Sequence, residues 1–170
     1  RWVVGLALSW LSLLAPGQEV TEVSLPVPTT VEQITRHPSV PESMMPTVES
    51  PVPAETSALG AAIAAWDVRT NGNDFTALES FASTYPESSW TPGLRLNLGL
   101  LYYQSGYFSR AITAFDQAWQ AARLGSSATS ETLANRAVSE LAVMHARVGQ
   151  KDSLAALLEE TKTRSFQGNS

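Results

Sequence analysis

The stretch Leu-Gly-Leu-Leu-Tyr-Tyr-Gln-Ser-Gly-Tyr-Phe-Ser-Arg-Ala-Ile-Thr-Ala-Phe-Asp-Gln-Ala, residues 98–118, decides the fold class. From Phe108 to just past the end of this stretch, apolar side chains recur at helical spacing and therefore lie on one face of a helix. These side chains are Phe108, Ala111, Ile112, Phe115, Ala118, Trp119 and Ala122. Thr91-Pro92 marks the start of a preceding helix, and Gly106 leaves only a short turn between the two. Because a short turn makes neighbouring helices pack antiparallel, the sequence predicts a helical hairpin over residues 92–123.

The same stretch resembles the tetratricopeptide repeat (TPR) family at eight positions in the right spacing. The matching residues are Leu98, Gly99, Tyr102, Gly106, Phe108, Ala111, Phe115 and Ala118. The resemblance implies antiparallel hairpins stacked as a right-handed solenoid that binds other proteins. Arg95 and Arg123 depart from the pattern, which often has tryptophan and proline at those positions.

The same repeat pattern can be followed along the sequence on both sides of this hairpin. Stepping backwards places Gly72 at a turn, and stepping forwards places Gly149 at another. We therefore predict an all-α, TPR-like domain over residues 58–162 made of about six helices. The predicted helices are about 58–70, 75–84, 92–104, 108–123, 131–148 and 151–162. We expect Gly125 to end the fourth helix in a left-handed conformation. Residues 163–170 are predicted to be a tail or the start of a linker.

Residues 18–57 have a different composition. Seven of the ten prolines fall in this segment, and six glutamates stand against the single Arg36. It contains no aromatic side chain, so burial offers little to offset the entropy of ordering the chain. The sequence predicts a disordered, acidic Pro/Glu/Thr-rich linker over 18–57.

Residues 1–17 resemble a secretory signal peptide. The run 2–15 carries no charge, follows Arg1, and is shorter than the ~20 residues that a transmembrane helix needs. We therefore expect an exported protein, located in the periplasm, on the cell surface or outside the cell. The alternative is that the segment stays uncleaved as a membrane anchor, which would be the protein's contact with the membrane.

Residue types that carry chemistry are sparse. The chain has no cysteine, which excludes disulfides, thiolate metal sites and cysteine nucleophiles. His37 lies in the linker, and His145 lies on a helix among apolar residues without a second ligand or base at suitable spacing. The basic residues of the helical part are dispersed, which disfavours nucleic acid as a partner. We predict no enzyme activity, no metal and no small-molecule cofactor.

The TPR resemblance also implies a binding groove, formed by the first helix of each hairpin. Carried over in the same frame, its residues are Leu59, Trp66, Arg69, Leu96, Leu100, Tyr103, Gln104, Val143 and Arg147. This set is apolar and aromatic with two arginines near one edge, which favours a protein or peptide with apolar anchors. An occupant from the same chain, either the linker or a downstream domain, is the alternative.

These observations favour a protein-interaction or interdomain docking scaffold. The alternative function is a non-catalytic N-terminal module of a larger secreted enzyme or toxin-like polypeptide. The order of exported segment, acidic linker and short repeat array is similar, more weakly, to the N-terminal regions of large secreted bacterial proteins with YD-repeat (RHS) or peptidase-like domains.

Overall fold

The fold is all-α, as the sequence predicted. A computed structural model describes residues 26–164 and 166, which places the signal-like segment 1–17 and residues 18–25 outside the described residues. The described part of the chain contains helices and no strand. The helices are α1 (Val31–Thr35), α2 (Pro53–Asp67), α3 (Thr76–Thr84), α4 (Thr91–Gln104), α5 (Phe108–Ala122), α6 (Ala128–Arg147) and α7 (Lys151–Thr161).

Helices α4 and α5 form the best-packed pair, and α5 packs in turn along α6. Phe115 is fully buried, and its ring lies directly against Gly99, where any larger residue would collide with it. Gly106 makes the turn between the helices with a φ of 80°, a backbone conformation that other residues rarely adopt. The hairpin therefore forms where the sequence predicted it, within a residue at each end.

Helix α2 begins earlier than predicted, at Pro53, because proline suits the first turn of a helix. The indole Nε1 of Trp90 donates a 3.1 Å hydrogen bond to Thr56 Oγ1 on α2. Trp90 itself is fully buried at the start of α4. This contact links the first turn of α2 to the N-terminal end of α4.

Helix α6 also begins earlier than predicted, at Ala128, because the Ser127 side chain accepts a hydrogen bond from Ser130 N. The prediction that Gly125 adopts a left-handed conformation is wrong, since only Gly106 and Gly149 have positive φ among the described residues. A side chain at Gly125 would collide with Ser130 instead. Glycine is therefore needed there for a close approach and not for an unusual φ.

The N-terminal segment, residues 26–52, is folded in the structure. Thr30 and Gln33 form a reciprocal capping box that begins the short helix α1. Ile34 and Met44 are fully buried and Val40 is nearly so, all within the same core as the helices. The structure thus differs from the predicted disordered linker over these residues, because three separate aliphatic side chains bury enough surface to hold the segment without an aromatic residue.

The N-terminal segment crosses the first helix of each hairpin. On α2, the carbonyl of Pro28 lies against Gly60, where a Cβ atom would collide with it. On α4, a Cβ added at Gly93 would lie 3.1 Å from the Met45 carbonyl oxygen. At the start of α6, Ser127 Oγ donates a 2.8 Å hydrogen bond to the Thr47 carbonyl. One stretch of chain therefore contacts α2, α4 and α6.

Candidate functional site

The predicted groove residues lie on α2, α4 and α6 or just after them. These three helices meet the N-terminal segment on one surface, which we call the first-helix face. The structure divides the predicted residues into a group that is already engaged within the protein and a group that is open. The engaged residues are Leu59, Trp66, Arg69 and Leu96. The open or half-buried residues are Leu100, Tyr103, Gln104, Val143 and Arg147.

The engaged residues of α2 serve the fold. Leu59 and Trp66 are buried in the core. The Arg69 guanidinium lies 4.1 Å from the centre of the Trp66 ring and donates a 2.8 Å hydrogen bond to the Trp66 carbonyl. A cation that hydrogen-bonds the last carbonyls of a helix caps its C-terminus. Arg69 is therefore occupied in ending α2.

Leu96 on α4 is also buried, beneath the N-terminal segment. It borders a cavity of about 360 Å³ that Glu42 and Met45 from the segment and Arg136 from α6 help to line. Two bonds fix the segment here. The backbone amide of Glu42 donates a 2.9 Å hydrogen bond to Asn97 Oδ1, and the Glu42 carboxylate pairs with Arg136 at 2.7 Å. The hydrogen bond to Glu42 raises the pKa of the Arg136 guanidinium, which is charged at any pH of interest.

The open residues gather at the C-terminal ends of α4 and α6. Arg147 stacks over Tyr103, with its guanidinium 5.1 Å from the ring centre, and also donates a hydrogen bond to the Tyr103 hydroxyl. The Tyr103 ring lies 5.9 Å from that of Phe108, which is 47% exposed, and Val143 is 42% exposed. We call this surface the open patch; it consists of Leu100, Tyr103, Gln104, Phe108, Val143 and Arg147.

The open patch continues the surface on which the N-terminal segment lies. On α4, the segment meets Gly93 and Asn97, and Leu100 and Gln104 follow at i+7 and i+11 from the first of these. Residues at that spacing share one face of a helix. The same holds on α6, where Arg147 stands three turns beyond the Arg136 that binds Glu42. The segment covers one part of the first-helix face and leaves the next part uncovered.

The two histidines are both paired within the protein. His145 Nδ1 lies 2.6 Å from Gln150 Oε1 across the turn between α6 and α7, in a buried position. His37 Nε2 lies 3.3 Å from Asp67 Oδ2, and this pair joins the N-terminal segment to the end of α2. Within residues 26–164 and 166, no three His, Asp or Glu side chains come together as a candidate metal site.

A second candidate site, which sequence reasoning missed, is a polar cleft between α3 and α5. At one end, Tyr102 donates a 2.6 Å hydrogen bond to Glu79 Oε1, and Arg110 pairs with the same carboxylate. Burial, together with the hydrogen bond to Glu79, raises the pKa of the Tyr102 hydroxyl, so this donor stays protonated. At the other end, Arg95 donates a hydrogen bond to Gln117. The sequence offered one signal, since Arg95 departs from the TPR pattern.

Comparisons with protein-family models, with curated proteins and with solved structures give no match to this chain. The TPR resemblance of residues 98–118 therefore stays a prediction. The helices offer no candidate for a membrane span among the described residues, since none is both long and apolar enough.

Proposed function

We propose that this chain is a non-catalytic protein-docking scaffold, built from TPR-like hairpins stacked as a short right-handed solenoid in an exported protein. The observation that carries the proposal is the open patch. It places the exposed Val143 and the half-buried Tyr103 next to Arg147 on the face that the first helices of the hairpins share, with the exposed Phe108 of α5 near the Tyr103 ring. Clustered exposure of this kind is typical of protein-binding surfaces, whereas isolated exposed apolar residues are not informative.

The N-terminal segment indicates what kind of ligand suits this face. It is a stretch of one short helix, turns and bends that inserts the aliphatic anchor Met44 and pairs a nearby carboxylate, Glu42, with Arg136 of α6. Arg147 occupies the same face of α6 about 16 Å further along the helix axis. In the described residues, the side-chain partner of Arg147 is the neutral Tyr103. We therefore propose a peptide ligand with apolar anchors and an acidic residue that pairs with Arg147.

Selection from a phage-displayed library of random dodecapeptides tests this proposal. The test compares the wild-type protein with Val143→Asp, which places a carboxylate in the open patch beside Arg147. We expect selected peptides to combine apolar anchors with Asp or Glu and to bind Val143→Asp at least about tenfold more weakly, as measured by fluorescence anisotropy. The matched control is Leu124→Asp, an apolar-to-acidic change at a residue that is 86% exposed in the connection between α5 and α6.

Equal binding of the selected peptides to Val143→Asp and Leu124→Asp would contradict the proposal. So would a selection that enriches peptides without apolar anchors. Arg147→Glu separates the two parts of the ligand, because it should abolish the preference for acidic peptides and leave apolar anchoring in place. Circular dichroism of each variant checks that the helices are retained.

A second candidate function is a non-catalytic module of a larger secreted enzyme or toxin-like polypeptide. One observation favours it: α7 buries only Leu157 and Thr161, and Leu158 on its outer side is 58% exposed. A neighbouring domain of the same polypeptide would cover this side of α7, as the next repeat does in longer arrays. The coding sequence beyond Ser170 distinguishes the two, since a catalytic domain there supports the second candidate and further repeats support the first.

A further inference from the structure

The cleft between α3 and α5 has the volume of a small-ligand site. Its volume is about 410 Å³, and its floor is formed by α4 through Leu98 and Tyr102. Pockets that hold small molecules commonly measure ~300–1,000 Å³. Ala82 on α3 and Ala114 on α5 make parts of its walls apolar. A small ligand could therefore bury an apolar part against these side chains while its polar part meets the charged groups.

Some charged groups in the cleft have a partner of opposite charge, and one does not. Glu79 accepts hydrogen bonds from both Tyr102 and Arg110, and the Arg110 guanidinium also lies 4.2 Å from the centre of the Tyr102 ring. These three groups satisfy one another. Arg95 at the opposite end has a neutral partner, the Gln117 amide, and no carboxylate of the described residues lies within ion-pair distance of it. The lining thus holds two cations and one anion.

Arg95 is also partly withdrawn from water, which makes the missing counter-charge costly. Burial lowers the pKa of its guanidinium, which means that the surroundings disfavour the charged form. An arginine remains protonated in proteins, so its charge must be stabilised by hydrogen bonds or by an anion. A guanidinium in this situation binds carboxylate and phosphate groups well, because its planar array of donors matches their oxygens.

We propose that this cleft binds a small organic anion whose carboxylate or phosphate group pairs with Arg95. The apolar part of the anion lies over Leu98 between Ala82 and Ala114. The hydroxyl groups of Ser83 and Thr113 line the same cleft. They donate to the carbonyls of Glu79 and Ser109 at 2.9 and 3.1 Å, so toward a ligand they can act as acceptors of a hydrogen bond from a hydroxyl or amide. This site is separate from the open patch and does not depend on the docking proposal.

The surroundings of Arg95 also limit the charge of the ligand. On its other side, Arg95 borders a shallow depression that Glu87 and Asp116 help to line. These carboxylates raise the cost of bringing a highly charged anion to Arg95. We therefore expect singly charged anions with an apolar group to bind better than inorganic phosphate.

Isothermal titration calorimetry with phenylacetate, phenyl phosphate and inorganic phosphate tests the proposal on the full chain. We expect saturable binding of phenylacetate, and weaker binding of phenyl phosphate, because a phosphate monoester carries close to two negative charges at neutral pH. Arg95→Gln should weaken phenylacetate binding at least about tenfold, and Arg95→Lys should retain part of it. Arg36→Gln is the matched control, since this exposed arginine pairs with Glu32 on α1, away from the cleft, and its loss should leave binding unchanged.

Ser83→Glu gives an independent variant should Arg95→Gln fail to fold. Ser83 is exposed at the edge of the cleft, so a glutamate there should be tolerated and should repel the anion. The proposal is overturned if none of the three probes binds the wild-type protein at millimolar concentration. It is equally overturned if folded Arg95→Gln or Ser83→Glu binds the probe as tightly as the wild type does.

Discussion

The α4–α5 hairpin and the N-terminal segment are held in the same protein by different means. The hairpin buries a continuous face of closely spaced residues, with Phe115 seated against Gly99 of the neighbouring helix. The segment has single aliphatic anchors, Ile34, Val40 and Met44, separated by polar and exposed residues. Apart from these anchors, the segment is held by individual hydrogen bonds to α4 and to the residue that precedes α6. The buried side chains of the hairpin therefore stabilise one another through many mutual contacts, whereas each anchor of the segment adds its own separate contribution to stability.

The largest expected effect is in the hairpin. Phe115→Ala should lower the free energy of unfolding by about 3–5 kcal/mol, because it leaves a cavity between α4 and α5 that the closely packed helices cannot fill. Urea denaturation followed by circular dichroism measures the change. Phe108→Ala on the same helix is the control and should cost far less, since Phe108 is mostly a surface residue of the open patch. Similar small losses for both variants would show that Phe115 does not fill the core.

A smaller effect tests whether the N-terminal segment belongs to the fold. Met44→Ala should lower the free energy of unfolding by about 2–3 kcal/mol, as expected for a fully buried methionine. Its neighbour Met45 is 44% exposed, so Met45→Ala should change stability by less than about 0.5 kcal/mol. The same urea titration measures both variants. If Met44→Ala is as mild as Met45→Ala, the segment does not contribute to the folded core.

The smallest effect concerns the ion pair between the segment and α6. A double-mutant cycle with Glu42→Gln and Arg136→Gln should give a coupling energy of about 0.5–1 kcal/mol, because both side chains remain partly exposed and water screens the pair. The coupling should fall as salt is added. The more exposed pair of Glu32 and Arg36 serves as the reference and should give a smaller value. A coupling energy between Glu42 and Arg136 no larger than the reference value would show that this ion pair does not help to hold the segment against α6.

The sequence predicted the parts of the fold that depend on local repetition. The bounds of α4 and α5 follow from helical spacing and from Gly106, all of which lie within a short window of sequence. The N-terminal segment could not be predicted in this way. Its anchors are isolated among prolines, and Glu42 hydrogen-bonds Asn97, whose position relative to it depends on the tertiary fold.

The candidate sites show the same division. Five residues of the open patch, Leu100, Tyr103, Gln104, Val143 and Arg147, are groove positions that the TPR resemblance implies, whereas Phe108 belongs to it only through its contact with Tyr103 in the structure. The engagement of Leu59, Trp66, Arg69 and Leu96 within the protein could not be read from that resemblance, because it depends on how the chain folds over them. The polar cleft was missed for a related reason. Its charged residues come from three helices, and only Arg95, which departs from the TPR pattern, is unusual when its own helix is considered alone.

The length of chain between bonded groups in this protein has a consequence for how it folds. Ser127 bonds Thr47, 80 residues earlier, and Arg136 pairs with Glu42, 94 residues earlier. In an ordinary helical array each unit touches only its neighbours, so units can form or melt separately. Here a segment made early in synthesis has to wait for α6 before its last bonds can form, which raises the contact order and slows the final step of folding. Once these bonds have formed, we expect the three hairpins to melt together as one cooperative unit.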